Sequence, residues 1–296
     1  MTARLIDGAA IAAELRDELR GRIEALRARG GTPGLAVVLV GDDPASISYV
    51  RGKTRACEEL GIFSETLRPP AESSEAALLG LVADLNADER FHGILVQLPL
   101  PDQLDARRVT GAVDPRKDVD GLHPVNLGLL LRGDGQLLPC TPAGVQQLLL
   151  RSGYDPSGRH VVICGRSNLV GKPLAAILLQ KAEGANATVT ICHTATPDLA
   201  AVTRSADILV AAIGRPRAIT AEMVKPGAVV IDVGTNRVDD PGRKRGYHLA
   251  GDVDFEAVAK VAGAITPVPG GVGPMTVTML LANTVRAAEL GVLGYT

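Results

Sequence analysis

The sequence is poor in aromatic residues and has no excess of charge of either sign. Aromatic side chains make up 2% of the 296 residues, tryptophan is absent, and 46% of the residues are hydrophobic. The core therefore has to be built from Ala, Val, Leu and Ile, which is typical of parallel sheets covered by helices. The 31 basic and 33 acidic residues leave a formal net charge of −2. Without a basic excess to neutralise phosphates, the composition argues against nucleic-acid binding.

Cysteine motifs and long apolar runs are missing too. The four cysteines (Cys57, Cys140, Cys164 and Cys192) form no C-x-x-C pair, so we expect neither a zinc site nor a disulfide framework. Cys164 and Cys192 fall in apolar runs, where buried free thiols are expected. No window approaches the ~18 apolar residues of a membrane span, and residues 1–20 lack the apolar core of a signal peptide. These absences predict a soluble cytoplasmic protein with no membrane partner and no bound metal.

Short apolar runs alternate with helical segments along the whole chain. In the first half, residues 35–40 and 93–98 predict strands. The second half repeats the rhythm with strand candidates at 160–164, 187–192, 207–213, 228–233 and 264–266. The fold class is therefore α/β, with two α/β domains around a cleft, the second built on a Rossmann-type doubly wound parallel sheet.

Two segments suggest how the domains are divided. Residues 134–142 predict a hinge, and a last helix from about residue 274 is expected to return to the first domain. The expected domains are residues 1–138 together with 275–296, and residues 139–274. Residues 239–248 predict a solvated loop to which we assign no function.

A glycine turn follows the strand predicted at 160–164. Gly165 and Gly171 are separated by five residues, which departs from the G-x-G-x-x-G spacing. Backbone N–H groups at the start of the next helix still attract phosphate, and glycine lets a ligand approach closely. The turn therefore predicts a dinucleotide site, with an ordinary βα turn as the alternative.

The end of the next strand bears on the choice of dinucleotide. NAD enzymes usually place an acidic residue there to hold the ribose 2′-hydroxyl, but here no acid occurs before Asp198. Arg166 in the glycine turn is placed to meet a 2′-phosphate together with Thr194. His193 is a further candidate, with a strand-end structural role as its alternative. The pattern favours NADP over NAD.

Four residues of the first half form a candidate chemical site. Tyr49 and Lys53 lie four apart on a predicted helix, Gln97 lies near a strand end, and Asp120 lies in a turn between the two halves. A partly buried lysine beside an amide and a phenol can have a lowered pKa, which suits general acid–base catalysis. Each residue also fits a structural role: a core-edge aromatic, a solvated lysine, or a turn carboxylate.

Taken together, these motifs resemble the family of bifunctional methylenetetrahydrofolate dehydrogenase/methenyltetrahydrofolate cyclohydrolase. The similarity spans nearly the whole chain. The matching motifs are YVRGK (49–53), GILVQLPLP (93–101), KDVDGL (117–122), PCTP (139–142), GRSNLVGKP (165–173), VIDVG (230–234), GDV (251–253) and TPVPGGVGPMT (266–276).

The resemblance implies a function in one-carbon metabolism. NADP would oxidise 5,10-methylenetetrahydrofolate to the methenyl form, which is then hydrolysed to 10-formyltetrahydrofolate. Residues 1–138 with 275–296 would bind tetrahydrofolate derivatives and carry catalysis, and residues 139–274 would bind NADP. The family is commonly a homodimer.

The resemblance also implies residue roles. Lys53 would be the acid–base residue, its pKa held down by a hydrogen bond to Gln97, with Tyr49 against the folate and Asp120 accepting hydrogen bonds from the pterin. The residues expected at the cofactor are Gly165, Arg166, Ser167, Val170, Thr194, Thr235 and Thr276. Those expected at the folate, besides Tyr49 and Asp120, are Pro269, Gly270 and Gly273. Prolines fix the path of residues 266–276 and glycines allow close approach, so we expect this segment where nicotinamide and pterin meet.

Two positions depart from the family pattern, and three alternatives remain. Thr235 stands where a bulky aliphatic residue is usual, and Arg55 replaces a lysine. The alternatives are a dehydrogenase without effective cyclohydrolase, a non-catalytic NADP- or folate-binding protein, and a two-domain dehydrogenase of a small hydroxy or amino acid. Lys53 and Gln97 argue against the first, and Lys53 argues against the second. The KDVDG and PGGVGPMT motifs argue against the third.

Overall fold

The computed structural model describes residues 2–243 and 246–293. The strands are β1 (Arg4–Leu5), β2 (Gly34–Val38), β3 (Phe63–Leu67), β4 (Gly93–Val96), β5 (His160–Cys164), β6 (Thr188–Cys192), β7 (Ile208–Ala211), β8 (Val229–Asp232), β9 (Asn236–Asp239), β10 (Tyr247–Ala250) and β11 (Ala264–Ile265). The α-helices are α1 (Gly8–Arg27), α2 (Pro44–Leu60), α3 (Glu75–Ala87), α4 (Ala106–Thr110), α5 (Pro124–Arg132), α6 (Cys140–Arg151), α7 (Gly171–Leu178), α8 (Leu199–Arg204), α9 (Phe255–Val258) and α10 (Val272–Leu293). A 3₁₀ helix spans Ala221–Met223.

The chain forms two compact units. The first unit consists of Glu14–Cys140 and Val277–Thr296, and the second of Met1–Ala13 and Thr141–Thr276. The start of the chain groups with the second unit, which differs from the expected boundary. The reason is backbone pairing, because β1 pairs in parallel with β11.

The first unit is built on a three-stranded parallel sheet in the order β3-β2-β4. The middle strand, β2, is buried along its whole length because helices cover both faces of the sheet. Its side chains alternate between two apolar clusters. Leu35 and Val37 pack with residues of α1, α2 and α10, whereas Ala36 and Val38 pack with residues of α3 and α4.

Caps fix the ends of α2. The Asp43 carboxylate accepts from the backbone N–H of Ser46 at 2.7 Å, and Pro44 occupies the first helical position. At the other end, Gly61 adopts a φ of 70°, a conformation that favours glycine. These caps define the helix that carries the candidate residues at positions 49 and 53.

The second unit contains a six-stranded parallel sheet in the order β1-β11-β8-β7-β5-β6. The α/β class and the parallel Rossmann-type sheet expected from the sequence are confirmed. The loops after β5, β6 and β7 leave the same edge of this sheet, because neighbouring parallel strands end together.

A hairpin replaces part of the loop expected at 239–248. β9 and β10 pair antiparallel, with Asn236 opposite Ala250 and Asp239 opposite Tyr247. Their side chains are half-buried or exposed, so the hairpin lacks the apolar run by which strands were predicted. Lys244 and Arg245 of the predicted loop lie outside the described residues.

Among the described residues, no helix is both long enough and apolar enough to cross a membrane.

Candidate active site and cofactor pocket

Lys53 and Gln97 form a hydrogen bond in the first unit. The Lys53 Nζ atom on α2 donates to Oε1 of Gln97, the residue that follows β4, at 2.9 Å. Two further bonds hold Gln97: its backbone N–H donates to the Val38 carbonyl at 2.9 Å, and its Nε2 donates to the Leu98 carbonyl at 2.6 Å. Because Nε2 of Gln97 donates to the backbone, the side-chain amide is oriented with its oxygen towards Lys53.

Burial controls the protonation of this lysine. It lowers the pKa of Lys53, against the negative charge of Asp120 and a smaller effect of Cys140, which raise it. An amide oxygen that accepts from Nζ stabilises the ammonium form. Burial, and not the Gln97 bond expected from the resemblance, is therefore what brings the lysine closer to neutrality.

Asp120 is the electrostatic partner of Lys53. Burial raises the pKa of the Asp120 carboxyl, and the charge of Lys53 opposes that rise. Each group is thus pushed towards its neutral form by burial and towards its charged form by the other. The opposite charges of the two groups therefore act against burial and favour the ionised form of each.

Asn283 on α10 supports the segment that carries Asp120, and sequence reasoning missed it. Its buried Nδ2 donates to the Val119 carbonyl at 2.8 Å and to the Leu138 carbonyl at 2.7 Å. The Cys140 thiol donates to the same Val119 carbonyl at 3.2 Å. The only hint in the sequence was an asparagine within an apolar stretch of helix. A buried amide in such a place is usually hydrogen-bonded to specific partners.

Tyr49 lies one turn before Lys53 on α2, and its side chain is 55% exposed. An aromatic ring with this exposure contributes little to a core, which argues against the structural alternative for Tyr49.

Arg55, the departure noted above, pairs with Glu59 on the surface, with Nε and Oε1 separated by 2.9 Å. Its charge is therefore engaged one turn further along the helix.

A cavity of about 460 Å³ opens at the carboxyl ends of β5, β6 and β7 in the second unit. It is lined by Cys164, Gly165, Arg166, Ser167, Cys192, His193, Thr194, Thr196, Leu199, Ala212, Ile213, Arg215 and Ala218. This lining contains two arginines and no Asp or Glu. The structure thus brings together four of the predicted cofactor residues in one cationic cavity: Gly165, Arg166, Ser167 and Thr194.

The backbone segments of the turn after β5 pack so closely that Gly165 and Gly171 have no room for a side chain. Gly165 adopts a φ of 136°, and a Cβ atom there would lie 2.1 Å from the Ala212 carbonyl oxygen. A Cβ atom on Gly171 would lie 2.0 Å from the carbonyl oxygen of Gly165. The Ser167 hydroxyl accepts from the backbone N–H of Val170 at 3.0 Å, which closes the turn. Val170 itself does not line the cavity, so it is not brought together with the other four.

Thr235 and Thr276 are also not brought to this cavity. Thr235 is exposed in the loop after β8. The Thr276 hydroxyl lies 2.9 Å from that of Thr141. Their contacts with cofactor stay a prediction.

The segment at 266–276 makes backbone contacts near the start of the chain. Gly270, with a φ of 104°, accepts at its carbonyl oxygen from the N–H of Ala9 at 3.0 Å. A Cβ atom on Gly8 would lie 1.9 Å from the Gly271 carbonyl oxygen. Pro269 precedes α10 and Gly273 lies in its first turn. The segment is closely packed, as its composition indicated, and the folate contacts of Pro269, Gly270 and Gly273 stay a prediction.

Comparison with known proteins decides the family. Residues 6–120 match the model of the tetrahydrofolate dehydrogenase/cyclohydrolase catalytic domain, and residues 139–291 match that of its NAD(P)-binding domain. The chain belongs to the tetrahydrofolate dehydrogenase/cyclohydrolase family. The bifunctional protein FolD of Syntrophus aciditrophicus is 56% identical over 98% of this chain and 99% of its own length.

Solved structures agree with this assignment. The methylenetetrahydrofolate dehydrogenase-cyclohydrolase of Trypanosoma brucei, solved with NADP and an inhibitor, is 41% identical, with a TM-score of 0.92 and 99% of each chain covered. The FolD enzyme of Campylobacter jejuni is 46% identical, with a TM-score of 0.90 and 97% of this chain and 99% of its own covered.

The two sets of residues fall in different regions of this tetrahydrofolate dehydrogenase/cyclohydrolase. Lys53, Gln97 and Asp120 lie within the range matched by the catalytic model, and the cationic cavity lies within the range matched by the NAD(P)-binding model. Arg215, which sequence reasoning missed, belongs to the second set.

Proposed function

We propose that this chain is a bifunctional one-carbon folate enzyme. It oxidises 5,10-methylenetetrahydrofolate to 5,10-methenyltetrahydrofolate with NADP, and it hydrolyses that product to 10-formyltetrahydrofolate. The observation that carries the proposal is the half-buried Lys53, bonded to Gln97 at 2.9 Å and close enough to Asp120 to feel its charge, in a family named for both activities.

Hydrolysis of the methenyl group is assigned to Lys53. Water adds to the bridging carbon and loses one proton as the C–O bond forms. N5 gains a proton as its bond to that carbon breaks, and the remaining hydroxyl proton leaves to solvent as the formyl C=O forms, so the hydrolysis of the methenyl cation releases one proton overall. A lysine whose pKa is lowered by burial exchanges protons more readily near neutral pH. Nζ can take a proton from the attacking water and pass it to N5. Asp120 holds the pterin by accepting hydrogen bonds from the pterin N–H groups, and Tyr49 contacts the folate.

The dehydrogenase step uses the second unit. When bound, NADP accepts a hydride from the methylene carbon. The cationic, acid-free cavity suits an anionic dinucleotide. Gly165 and Ser167 shape the turn that holds the pyrophosphate, and Arg166 with Thr194 holds the 2′-phosphate. We assign further cofactor contacts to Val170, Thr235 and Thr276, and further folate contacts to Pro269, Gly270 and Gly273.

The proposal extends to the domains and the assembly. Residues 14–140 with the C-terminal helix bind folate, and the second unit binds NADP. The protein is a cytoplasmic homodimer, as the family resemblance implies, and sedimentation velocity on the purified chain should give a dimer mass.

Lys53→Ala tests the hydrolytic assignment. Loss of a general acid–base group costs about 10²- to 10⁴-fold in rate, so methenyl hydrolysis should fall by that factor while NADPH binding is unchanged. Arg55→Ala, on the exposed side of the same helix, is the matched control and should retain activity. Hydrolysis at the wild-type rate in Lys53→Ala would refute the role given to Lys53.

The alternative is a dehydrogenase with weak or absent cyclohydrolase activity. A coupled assay that follows NADPH formation and methenyl decay separates the two functions. Wild-type protein that forms NADPH but leaves the methenyl absorbance to decay at its uncatalysed rate would favour the alternative.

A further inference from the structure

Two guanidinium groups line the cofactor cavity, and they come from different loops. Arg166 belongs to the turn after β5, and Arg215 belongs to the loop after β7. β5 lies between β6 and β7 in the sheet, so these loops lie on neighbouring strands at the cavity edge. Arg215 is exposed, and among the residues described here it has no carboxylate partner. Its charge is therefore available to a ligand in the cavity.

The charge of a phosphate ligand exceeds what one cation neutralises. A phosphate monoester carries about −1.5 to −2 at pH 7, and a single guanidinium supplies one positive charge. The lining offers no other permanently charged group than the two arginines. Arginine also binds phosphate through two parallel N–H···O bonds, which fix its orientation.

A neighbouring arginine shows that this placement is specific. Arg217, two positions after Arg215, lines a different cavity of about 240 Å³, together with Asp232, Asp254 and Glu256. The cavity of Arg217 thus has three carboxylates in its lining, whereas the cavity of Arg215 has none. Only Arg215 of the two adds uncompensated charge to the cofactor site.

We propose that Arg215 is a second cation for the adenosine 2′-phosphate of NADP and that it sets, together with Arg166, the preference for NADP over NAD. This inference rests on the proposed use of NADP. It assigns a specificity role to a residue outside the glycine turn and outside the end of β6.

Binding titrations with reduced cofactors test the assignment on the full chain. Because the protein has no tryptophan, nicotinamide emission can be followed without a tryptophan background. A hydrogen bond to a charged group is worth about 1.5–3 kcal/mol, which is about 10- to 150-fold in affinity. Arg215→Gln should weaken NADPH binding by about that factor and NADH binding less than about twofold.

Three further variants complete the design. Arg166→Gln should show the same selective loss, and Arg166→Gln/Arg215→Gln should bind NADPH and NADH about equally. Arg217→Gln is the matched control and should change neither affinity by more than about twofold. Competition by 2′,5′-ADP against bound NADPH should weaken in Arg215→Gln, whereas competition by 5′-AMP should not.

The outcomes separate this inference from the proposed function. Suppose that Arg166→Gln weakens NADPH binding selectively, but Arg215→Gln weakens NADPH and NADH binding equally or leaves both unchanged. The role of Arg215 is then refuted, and the use of NADP stands. If the wild-type protein binds NADH at least as tightly as NADPH, the proposed cofactor fails, and this inference fails with it.

Discussion

Replacing Asn283 with alanine should destabilise the first unit by about 2–4 kcal/mol. The change removes the donor that bonds the Val119 carbonyl at 2.8 Å and the Leu138 carbonyl at 2.7 Å. Val119 keeps the bond from the Cys140 thiol at 3.2 Å, so its loss is a single neutral bond, about 1 kcal/mol. The Leu138 carbonyl, which is half-buried, loses its amide partner, which costs about 1–3 kcal/mol.

Urea unfolding of the wild type and Asn283→Ala measures this loss. With a slope of about 2–3 kcal/mol per molar urea, a loss of about 3 kcal/mol lowers the midpoint by about 1–1.5 M. Thr284→Val is the control on the neighbouring residue, because the Thr284 hydroxyl donates to the Leu280 carbonyl of its own helix at 2.9 Å and not to another element of the described chain. That variant should lose less than about 1 kcal/mol.

The same substitution should also affect the proposed hydrolysis. Asp120 follows Val119 directly, so loosening Val119 should slow methenyl hydrolysis while leaving NADPH binding in the second unit unchanged. An Asn283→Ala protein no less stable than Thr284→Val would refute the view that this amide holds the segment bearing Asp120.

Two further predictions concern the second unit. Burial raises the pKa of Asp232 to about 6, above about 4 in an unfolded chain. The folded protein therefore binds this proton more tightly, so the contribution of Asp232 to stability is present below pH ~4 and is lost as the pH rises to ~6. Carbon-detected NMR should find this carboxyl titrating near pH 6, and a midpoint near 4 would contradict the stated effect of burial. Gly165→Ala should abolish NADPH binding, because its Cβ atom would meet the Ala212 carbonyl oxygen at 2.1 Å. Gly128→Ala has open space around the added atom and should bind NADPH normally; normal binding by Gly165→Ala would show that the turn tolerates a side chain.

The sequence was most informative where strong apolar runs and glycine caps coincide. The runs around β2, β4 and β5 predicted buried parallel strands, and the helix after β2 ends at Gly61, where the positive φ favours glycine. Spacing also placed Lys53 and Gln97 near a common strand edge, and the structure joins them at 2.9 Å.

Other features left too weak a signal in the sequence. β1 has two residues, both exposed, so it lacks a periodic pattern, and only its pairing with β11 reveals it. Asn283 could not be identified because its hydrogen-bond partners are distant along the chain. Arg215 could not be identified because the cavity that it lines is formed by residues from several separate segments. The pKa of Lys53 likewise depends on burial, which spacing does not report.

The return of α10 to the first unit reverses the order in which the two units are completed during synthesis. All residues of the second unit have been made once translation passes Thr276, whereas the first unit still lacks Val277 onwards. Domains generally fold as units while the chain emerges from the ribosome. The first unit is therefore finished last, and a nascent chain stalled before Asn283 cannot yet brace the segment that carries Asp120.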